Sequence, residues 1–323
     1  MKKILALCLF LTLSCANKSP LVIAHRQAPA YLPEHTLESA TLAHGMNPDY
    51  LEIDVVMTRD NHLVILHDIH LDTVTNVAKK YSTRKRSDGR YYAIDFTLKE
   101  IKKLRVHERS SLKTGKQRYA KRFPKGNSHF QVPSLEEFIE LLQGLNTVRK
   151  KDIGLYIEYK SPAFHRRNKK DIEKLVLNKL KSYGYNDQND KVFLQCFDDK
   201  SLKRVKYQLK SKLKLVQLIG ENSWGESKTD YDKLKTAEGL KEISKYAVGI
   251  GPWIHHVLDH KSGGDTGFIK LAHQNNLVVH PYTARADDLP KWASNFDHLL
   301  SALEKVGIDG VFTDFPDLAR KKY

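Results

Sequence analysis

Two histidine-containing motifs hold most of the chemistry that this sequence suggests. His25-Arg26 follows directly on one apolar run, and His67-Asp68 follows on another. Each motif places ionisable groups at the end of a strand-like segment, where a barrel would hold them rigidly over one site. A single histidine beside an apolar run is more often a structural residue than a catalytic one. Two of them with an adjacent arginine are harder to explain in this way, because burying charge without a partner is costly.

Three carboxylates in strand-like segments could bind a cation. Glu52 and Asp54 are two residues apart, so their side chains point to the same side of a strand. Together with Glu158, near the end of a later strand-like run, they offer three carboxylate oxygens to a hard cation such as Ca²⁺ or Mg²⁺. The alternative is that each acid is a surface charge or one half of a local salt bridge. No group of Cys or His has the spacing of a zinc site.

These residues together suit the hydrolysis of a phosphate ester. Such a reaction needs an acid and a base, for which His25 and His67 are available, and positive charge on the phosphate, from a metal ion and Arg26. The sequence contains no glycine-rich phosphate loop, no G-x-S-x-G and no G-x-G-x-x-G after a strand. Nucleotide kinases, serine hydrolases and dinucleotide-binding enzymes are therefore not indicated.

The N-terminal residues are typical of an export signal. A pair of lysines precedes an apolar stretch of about ten residues, which is too short to span a membrane as a stable helix. We expect residues 1–14 to be a signal peptide and 15–20 a short linker. Cys15 follows a small residue, as in a bacterial lipobox, although Thr12 stands where Leu is usual. We therefore expect Cys15 to be lipidated, with simple cleavage and release as the alternative. We expect the protein to be exported, either to the periplasm or as a membrane-anchored lipoprotein, and the cell surface is one location for the anchored form.

Charge and cysteine content limit the partners of the mature chain. The formal net charge of +16 falls by only two when the signal is removed. The basic residues are scattered through loops and helix faces, and we expect the protein to be exported, so nucleic acid is not an expected partner. The alternative to a solvated lysine-rich surface is attraction to anionic membranes or substrates. Cys196 is left alone once Cys8 is removed and Cys15 is lipidated, so we expect no intrachain disulfide. No segment indicates an obligate protein partner.

Eight strand-like runs alternate with helical patterns along the chain. Strands that alternate with helices indicate a parallel sheet, and eight such units in about 300 residues favour a closed (β/α)8 TIM barrel. The predicted strands cover residues 21–25, 50–56, 154–160, 192–197, 213–219, 248–253, 277–282 and 310–315. The predicted helices cover residues 37–44, 135–145, 171–183, 200–209, 238–246, 268–274 and 299–306.

Residues 69–132 interrupt this alternation between the second and third predicted barrel strands. The stretch is rich in Lys, Arg, Ser, Tyr and Gly, with one helical signal near residues 97–104. Most connections in compact domains are far shorter, so we expect an inserted subdomain or cap. Because barrel active sites lie at the C-terminal ends of the strands, a cap there would shape the substrate entrance. We expect residues 21–323 to form one barrel domain that includes this cap.

A series of long motifs runs in order from about residue 21 to the C-terminus. They are IAHR (23–26), YLPEHT (31–36), EID (52–54), LHD (66–68), DGRYY (88–92), IDFTL (94–98), GIGP (249–252), VHPYT (279–283) and FTDFP (312–316). In these motifs, and in its insertion, the chain resembles the glycerophosphodiester phosphodiesterase family, and most closely its periplasmic branch.

The resemblance implies a TIM barrel with an inserted subdomain, a divalent metal that is most often Ca²⁺, and a small-molecule substrate. It implies hydrolysis of glycerophosphodiesters, such as glycerophosphocholine or glycerophosphoethanolamine, to an alcohol and sn-glycerol 3-phosphate. The roles that it implies are acid/base catalysis for His25 and His67, metal binding for Glu52, Asp54 and Glu158, and phosphate contact for Arg26 and Lys160.

Further residues are weaker candidates for the site. We expect substrate contact, with a place in the core as the alternative, for Trp253, His280, Tyr282 and Phe315. His35 belongs to a motif too, and we expect it to pack or to hydrogen-bond near the first helix. Gln27 stands where the family usually has Gly, which would allow a positive φ. We therefore expect Gln27 to crowd the phosphate or to strain the loop that holds Arg26.

Two other functions stay open from the sequence. One is attack on whole lipids by the same scaffold, as in a phospholipase D-like phosphodiesterase, which a long cap over the site disfavours. The other is a surface binding protein or antigen that keeps the fold without activity. Gln27 and the basic surface favour that interpretation, whereas the presence of both histidines and all three acids argues against it.

Overall fold

Short buried strands alternate with helices through the part of the chain that the computed structural model describes, residues 19–126 and 128–323. The strands are β1 (Leu21–Ala24), β2 (Tyr50–Met57), β3 (Leu63–Ile65), β4 (Gly154–Tyr159), β5 (Val192–Cys196), β6 (Lys214–Ile219), β7 (Gly249–Pro252), β8 (Val278–Val279) and β9 (Gly310–Thr313). Every residue of β2 and β4 is buried, as expected for parallel strands that are covered on both faces.

Helices connect the barrel strands on the outside of the sheet. The helices are α1 (Leu37–Gly45), α2 (Val77–Lys80), α3 (Leu98–Ile101), α4 (Leu135–Arg149), α5 (Pro162–Arg167), α6 (Ile172–Ser182), α7 (Asp199–Lys203), α8 (Tyr231–Leu234), α9 (Ala237–Ile243), α10 (Ile254–Val257), α11 (Phe268–His273), α12 (Phe296–Lys305) and α13 (Pro316–Lys322). Of these, α2 and α3 lie in the long connection between β3 and α4. The helix predicted over residues 200–209 is only partly α-helical, because α7 continues as a π-helical turn over Arg204–Gln208.

Eight parallel strands form a nearly closed barrel, in the order β8-β7-β6-β5-β4-β2-β1-β9. On the last side, the backbone N–H of Phe312 donates to the carbonyl of Pro281 at 3.0 Å, and that of Ala284 donates to the carbonyl of Phe312 at 2.8 Å. The predicted (β/α)8 TIM barrel is confirmed. The structure adds β3, which pairs antiparallel with the end of β2 and was not counted among the predicted barrel strands.

Large aromatic side chains fill the lower part of the barrel. Tyr50, Tyr156, Phe193 and Phe312 are all buried and belong to one cluster. The rings of Tyr156 and Phe193 stack at 4.8 Å between centroids, and the ring of Phe312 meets Tyr156 edge-on at 5.0 Å. This packing closes the barrel from below, so an open site can form only above it, at the C-terminal ends of the strands.

We refer to residues 69–132, between β3 and α4, as the cap segment. It contains α2, α3 and two short 3₁₀ turns, and Thr97 and Glu100 form a capping box at the start of α3. Its apolar side chains, Phe96 among them, form a small core together with Val56 from β2 and Val64 from β3. A separate core allows a long insertion to keep a fixed shape without disturbing the barrel.

Residues 1–18 are not among the described residues. The predicted signal peptide and the predicted lipid anchor at Cys15 fall on them and stay predictions. In the part of the chain that the structure describes, no helix is both long enough and apolar enough to cross a membrane.

Candidate active site

A cleft of about 290 Å³ opens at the C-terminal ends of the barrel strands, where barrel enzymes place their chemistry. One side is polar and is lined by His25, Arg26, Glu52, His67, Arg118, Glu158, Gln195, Glu226, Thr283 and Arg285. The other side is apolar and is lined by Phe197, Leu218, Trp224, Trp253, Tyr282 and Phe312. The two predicted histidines therefore lie together, although β1 and β3 present them from different directions.

Each of the two histidines is held by a carboxylate at the same ring nitrogen. Nδ1 of His25 lies 2.6 Å from Oδ1 of Asp314, which follows β9, and Nδ1 of His67 lies 2.7 Å from Oδ1 of Asp68. In both rings Nδ1 is thus engaged, and Nε2 is the nitrogen left to exchange a proton with a bound molecule. A carboxylate on Nδ1 fixes both the tautomer and the orientation of an imidazole.

Both imidazoles favour the neutral form. Burial lowers the pKa of His25 to about 4, against an opposing effect of Asp314. Burial, reinforced by the charges of Arg26 and Lys160, lowers the pKa of His67 to about 3. At neutral pH each ring is therefore ready to accept a proton. An anion bound in the cleft would raise both pKa values, because it favours the charged form of a nearby imidazole.

The three predicted metal ligands converge beneath the histidines. Glu52, Asp54 and Glu158 are buried, and one carboxylate oxygen from each lies within 4.8 Å of the other two. Burial, with repulsion from Asp54, raises the pKa of Glu52 well above its ordinary value. Oδ1 of Asp54 is buried and has no hydrogen-bond partner among the described residues. Buried carboxylates with a free oxygen need a cation, and three oxygen ligands on strands suit a hard one.

The predicted phosphate contacts take different positions. Arg26 lines the cleft, and its Nη1 donates to Oε2 of Glu34 at 3.0 Å. Lys160 lies behind the carboxylates and does not line the cleft: its Nζ donates to Oε1 of Glu158 at 2.6 Å and lies 3.9 Å from Oδ1 of Asp54. Burial would lower the pKa of Lys160, but these two acids raise it, so the residue is a buried cation. Its placement fits charge balance in the metal site as well as it fits phosphate contact.

Gln27 points away from the cleft. Its side chain is fully buried, and its Nε2 lies 2.8 Å from the carbonyl oxygen of Glu52 and 3.2 Å from Nδ1 of His35. Nε2 of His35 in turn lies 2.8 Å from Oδ2 of Asp54, so the expected hydrogen bond of His35 supports a predicted metal ligand. The expected crowding of the phosphate by Gln27 is therefore not seen. The expected backbone strain is seen, because Arg26 at φ 50° and Gln27 at φ 76° both lie in the left-handed region.

An aromatic wall, formed by Phe197, Trp224, Trp253 and Tyr282, makes the apolar side of the cleft. Trp253 and Tyr282 were predicted to contact the substrate, whereas Phe197 and Trp224 were not singled out. The ring of Trp224 rests on Gly220, where an added Cβ would lie only 2.8 Å from the ring. Trp224 ends a 3₁₀ turn, Asn222–Trp224, which is too short to show a periodic pattern, so the sequence gives no signal for its position.

Two predicted substrate contacts lie elsewhere. His280 is 1% exposed and sits in the barrel among the aromatic side chains, with its Nδ1 3.1 Å from the hydroxyl of Tyr156. Phe315 packs between Tyr31 and Phe296, outside the cleft lining. Both residues stand in family motifs at or after the end of a strand. A motif does not tell whether a side chain reaches the cleft or packs elsewhere in the barrel.

The roles of Asp68 and Asp314 were not predicted, although both stand in motifs of the sequence. LHD (66–68) puts Asp68 directly beside His67, and FTDFP (312–316) puts Asp314 at the end of β9. Arg118 and Arg285 complete the polar side of the cleft. No motif singled out these two arginines, because their position depends on how the loops fold back over the barrel.

Comparison with known proteins agrees with this geometry. The model of the glycerophosphoryl diester phosphodiesterase family matches residues 25–318. A glycerophosphodiester phosphodiesterase of Haemophilus influenzae is 46% identical, over 92% of this chain and 88% of the relative. One of Treponema pallidum is 35% identical, over 96% of this chain and 93% of the relative. The chain belongs to the glycerophosphoryl diester phosphodiesterase family.

Solved structures agree with the fold. A phosphodiesterase of Oleispira antarctica, solved in complex with the product sn-glycerol-3-phosphate, superposes with a TM-score of 0.65. The alignment covers 94% of this chain and 96% of that chain at 19% sequence identity. At this level of identity the similarity concerns the barrel architecture.

Proposed function

We propose that this protein is a metal-dependent glycerophosphodiester phosphodiesterase, which hydrolyses a glycerophosphodiester to an alcohol and sn-glycerol 3-phosphate. The observation that carries the proposal is that one cleft holds two imidazoles, each oriented by a carboxylate, above three converging buried carboxylates. Membership of the family and two relatives of that name, at 46% and 35% identity, support it.

The two histidines divide the proton transfers of the reaction. Nε2 of one neutral imidazole takes the proton from the attacking oxygen, as a new P–O bond forms. Nε2 of the other, protonated once the anionic phosphate is bound, gives its proton to the alcohol oxygen, as the second P–O bond breaks. His25 and His67 can fill these roles in either order. The attacking oxygen belongs to water or to the neighbouring hydroxyl of the glycerol moiety.

Positive charge in the site offsets the charge of the phosphate. A phosphodiester carries one negative charge, and charge builds up further on its oxygens as the nucleophile attacks. Arg26 lines the cleft and is held there by Glu34. A divalent metal on Glu52, Asp54 and Glu158 would supply Lewis-acid stabilisation of the same oxygens. We propose Ca²⁺ as the metal, because three carboxylates without nitrogen or sulfur ligands suit a large hard cation.

We further propose that the protein acts outside the cytoplasm, as a lipoprotein anchored through Cys15, and that residues 69–132 form a distinct cap subdomain. Support for export comes from the basic and apolar N-terminus followed by Ser14-Cys15. Support for the cap comes from the small core that its apolar side chains form against Val56 of β2 and Val64 of β3. Labelling of cells with a radioactive fatty acid, for wild type and Cys15→Ala, would test the anchor. Absence of label from the wild type would refute it.

Release of sn-glycerol 3-phosphate from glycerophosphocholine tests the catalytic proposal. The purified chain without residues 1–14 would be assayed with Ca²⁺, with a chelator, and as the His25→Ala variant. We expect release that depends on the metal and is lost in the variant. No release by folded, metal-bound protein would refute the proposal for this substrate and favour a surface binding protein. Release from whole phospholipids instead would favour a phospholipase D-like activity.

A further inference from the structure

The cap segment reaches both carboxylates that hold the histidines. Nη1 of Arg109 donates to Oδ2 of Asp68 at 2.6 Å, while the other oxygen of Asp68 holds His67. Nη2 of Arg122 donates to Oδ2 of Asp314 at 2.7 Å. The same arrangement thus occurs twice: one carboxylate bridges an imidazole of the barrel and a guanidinium of the cap.

Both arginines are fixed by further ion pairs. Arg109 also makes two hydrogen bonds to Glu34, at 2.6 and 3.1 Å, and Glu34 is the residue that holds Arg26. Arg122 also makes two hydrogen bonds to Asp287, at 2.8 and 3.0 Å. Their side chains are only 13% and 4% exposed. A planar guanidinium that is paired on several sides cannot turn freely, so it can hold a carboxylate in one orientation.

The two arrangements differ in the number of side chains that hold the carboxylate in place. Asp314 has a second cationic partner, since Nε of Arg285 donates to the same Oδ2 at 2.7 Å. Asp68, apart from His67 and Arg109, accepts only a hydrogen bond of 3.2 Å from the hydroxyl of Thr73 among the side chains of the described residues. His67 should therefore depend on the cap more strongly than His25 does.

We propose that Arg109 and Arg122 are positioning residues for the two histidines, so that the docked cap segment completes the catalytic site. The proposal rests on the proposed phosphodiesterase function. Neither arginine needs to touch the substrate: each holds a carboxylate, and each carboxylate holds an imidazole with Nε2 toward the cleft. A cap that only shaped the entrance would need no contact with Asp68 or Asp314.

The kinetic test compares two substrates in Arg109→Met and Arg122→Met. In glycerophosphocholine the leaving group is the alkoxide of choline, which needs a proton. In a glycerol p-nitrophenyl phosphodiester it is p-nitrophenolate, which is stable without one. We expect kcat on glycerophosphocholine to fall about 100-fold in Arg109→Met and less in Arg122→Met, with KM changed less than about threefold in Arg122→Met. One of the two variants affects the histidine that acts as the general acid. In that variant, the fall in kcat on the p-nitrophenyl substrate should be at least about tenfold smaller than the fall on glycerophosphocholine.

The matched control is Arg86→Met, which removes a cap arginine with two hydrogen bonds to Asp95, at 2.7 and 2.8 Å, and no bond to either histidine partner. We expect it to keep the wild-type kcat on both substrates. The ratio of the two kcat values does not depend on the folded fraction, so partial unfolding cannot imitate the result. An unchanged ratio in both variants, or kcat within about twofold of wild type in both, would overturn the proposal.

A second measurement does not need activity. The ¹⁵N–¹H correlations of the imidazole rings report which nitrogen of His67 holds the proton. We expect the Nδ1–H tautomer in the wild type and a mixture of tautomers in Arg109→Met. If the wild-type protein had no activity, the proposed function would be refuted. The spectrum would then still test whether Arg109 positions His67. A His67 spectrum unchanged by the substitution would refute the positioning role.

Discussion

The carboxylate of Asp314 lies 2.6 Å from Nδ1 of His25, across 289 residues of sequence. His25 follows β1 and Asp314 follows β9, the two strands that pair in register over their whole length. The pair therefore exists only when the last strand has joined the first. Arg285 and His25 keep the pKa of Asp314 well below its ordinary value, although burial alone would raise it. Asp314 is thus a charged acceptor, which His25 can meet only with an N–H.

Asp314→Asn should keep the fold and lose most of the activity. The amide can donate as well as accept, so it no longer selects the Nδ1–H tautomer of His25. We expect kcat for glycerophosphocholine to fall about 10²- to 10⁴-fold with little change in KM, which steady-state kinetics would measure. The control is Asp317→Asn, the same change one turn later, where the carboxylate accepts from Tyr31 at 2.7 Å outside the cleft. Equal activity of the two variants would contradict the role of Asp314.

Glu52→Gln should stabilise the metal-free protein and remove its response to Ca²⁺. The pKa of Glu52 is raised by burial and by repulsion from Asp54, so a neutral amide relieves an unfavourable charge. In the wild type, Ca²⁺ at 100 times its Kd should add about 2.7 kcal/mol to the free energy of unfolding. Thermal unfolding with Ca²⁺ and with chelator would measure both effects. Glu304→Gln, on the exposed face of α12, is the control and should keep the Ca²⁺ response.

The barrel could be predicted because its signals are local. Apolar runs of strand length recur between helical patterns, and the number of units in about 300 residues fits only a few architectures. The polar residues of the site also stand in sequence at the ends of such runs, as His25 and His67 do. The pattern does not tell how deep along the barrel axis a side chain lies. His280 lies near the end of the predicted strand 277–282, yet it points into the aromatic core.

The contacts of the cap segment could not be predicted for a different reason. Arg109 meets Asp68 across 41 residues, and Arg122 meets Asp314 across 192. Both arginines lie in irregular backbone, where no periodicity says which way a side chain points, and the cap holds many other basic residues. Their partners are set by how the cap docks on the barrel, which only the tertiary structure reveals.

Gln27→Gly and Gln27→Ala should separate backbone strain from side-chain contacts. Both lose the hydrogen bonds to His35 and to the carbonyl of Glu52, but only Gly relaxes at φ 76°. We expect Gly to be more stable than Ala by about 1 kcal/mol, measured by urea unfolding. Because Gln27 does not line the cleft, kcat of Gln27→Gly should stay within about tenfold of wild type. A larger loss would mean that His35 needs Gln27 to hold Asp54 in place.

His165 should make the protein less stable in mild acid. It lies in α5, neither ring nitrogen has a hydrogen-bond partner among the described residues, and burial lowers its pKa from 6.5 to about 3. Below pH 6.5 the unfolded chain binds a proton that the folded chain does not, so stability falls as pH falls from about 6.5 toward 3. At one pH unit below 6.5 the loss from this residue is about 1.4 kcal/mol.

The variant His165→Leu removes this site of protonation and leaves the other histidines in place. Leu adds no unpaired polar atom to the pocket that His165 occupies, so we expect the variant to be at least as stable as wild type at pH 7.5. At pH 5.5 its advantage should grow by about 1.4 kcal/mol. Urea unfolding at the two pH values would measure the difference. If the free energy of unfolding changed equally with pH in both proteins, the prediction would be wrong, and His165 would take up its proton in the folded protein.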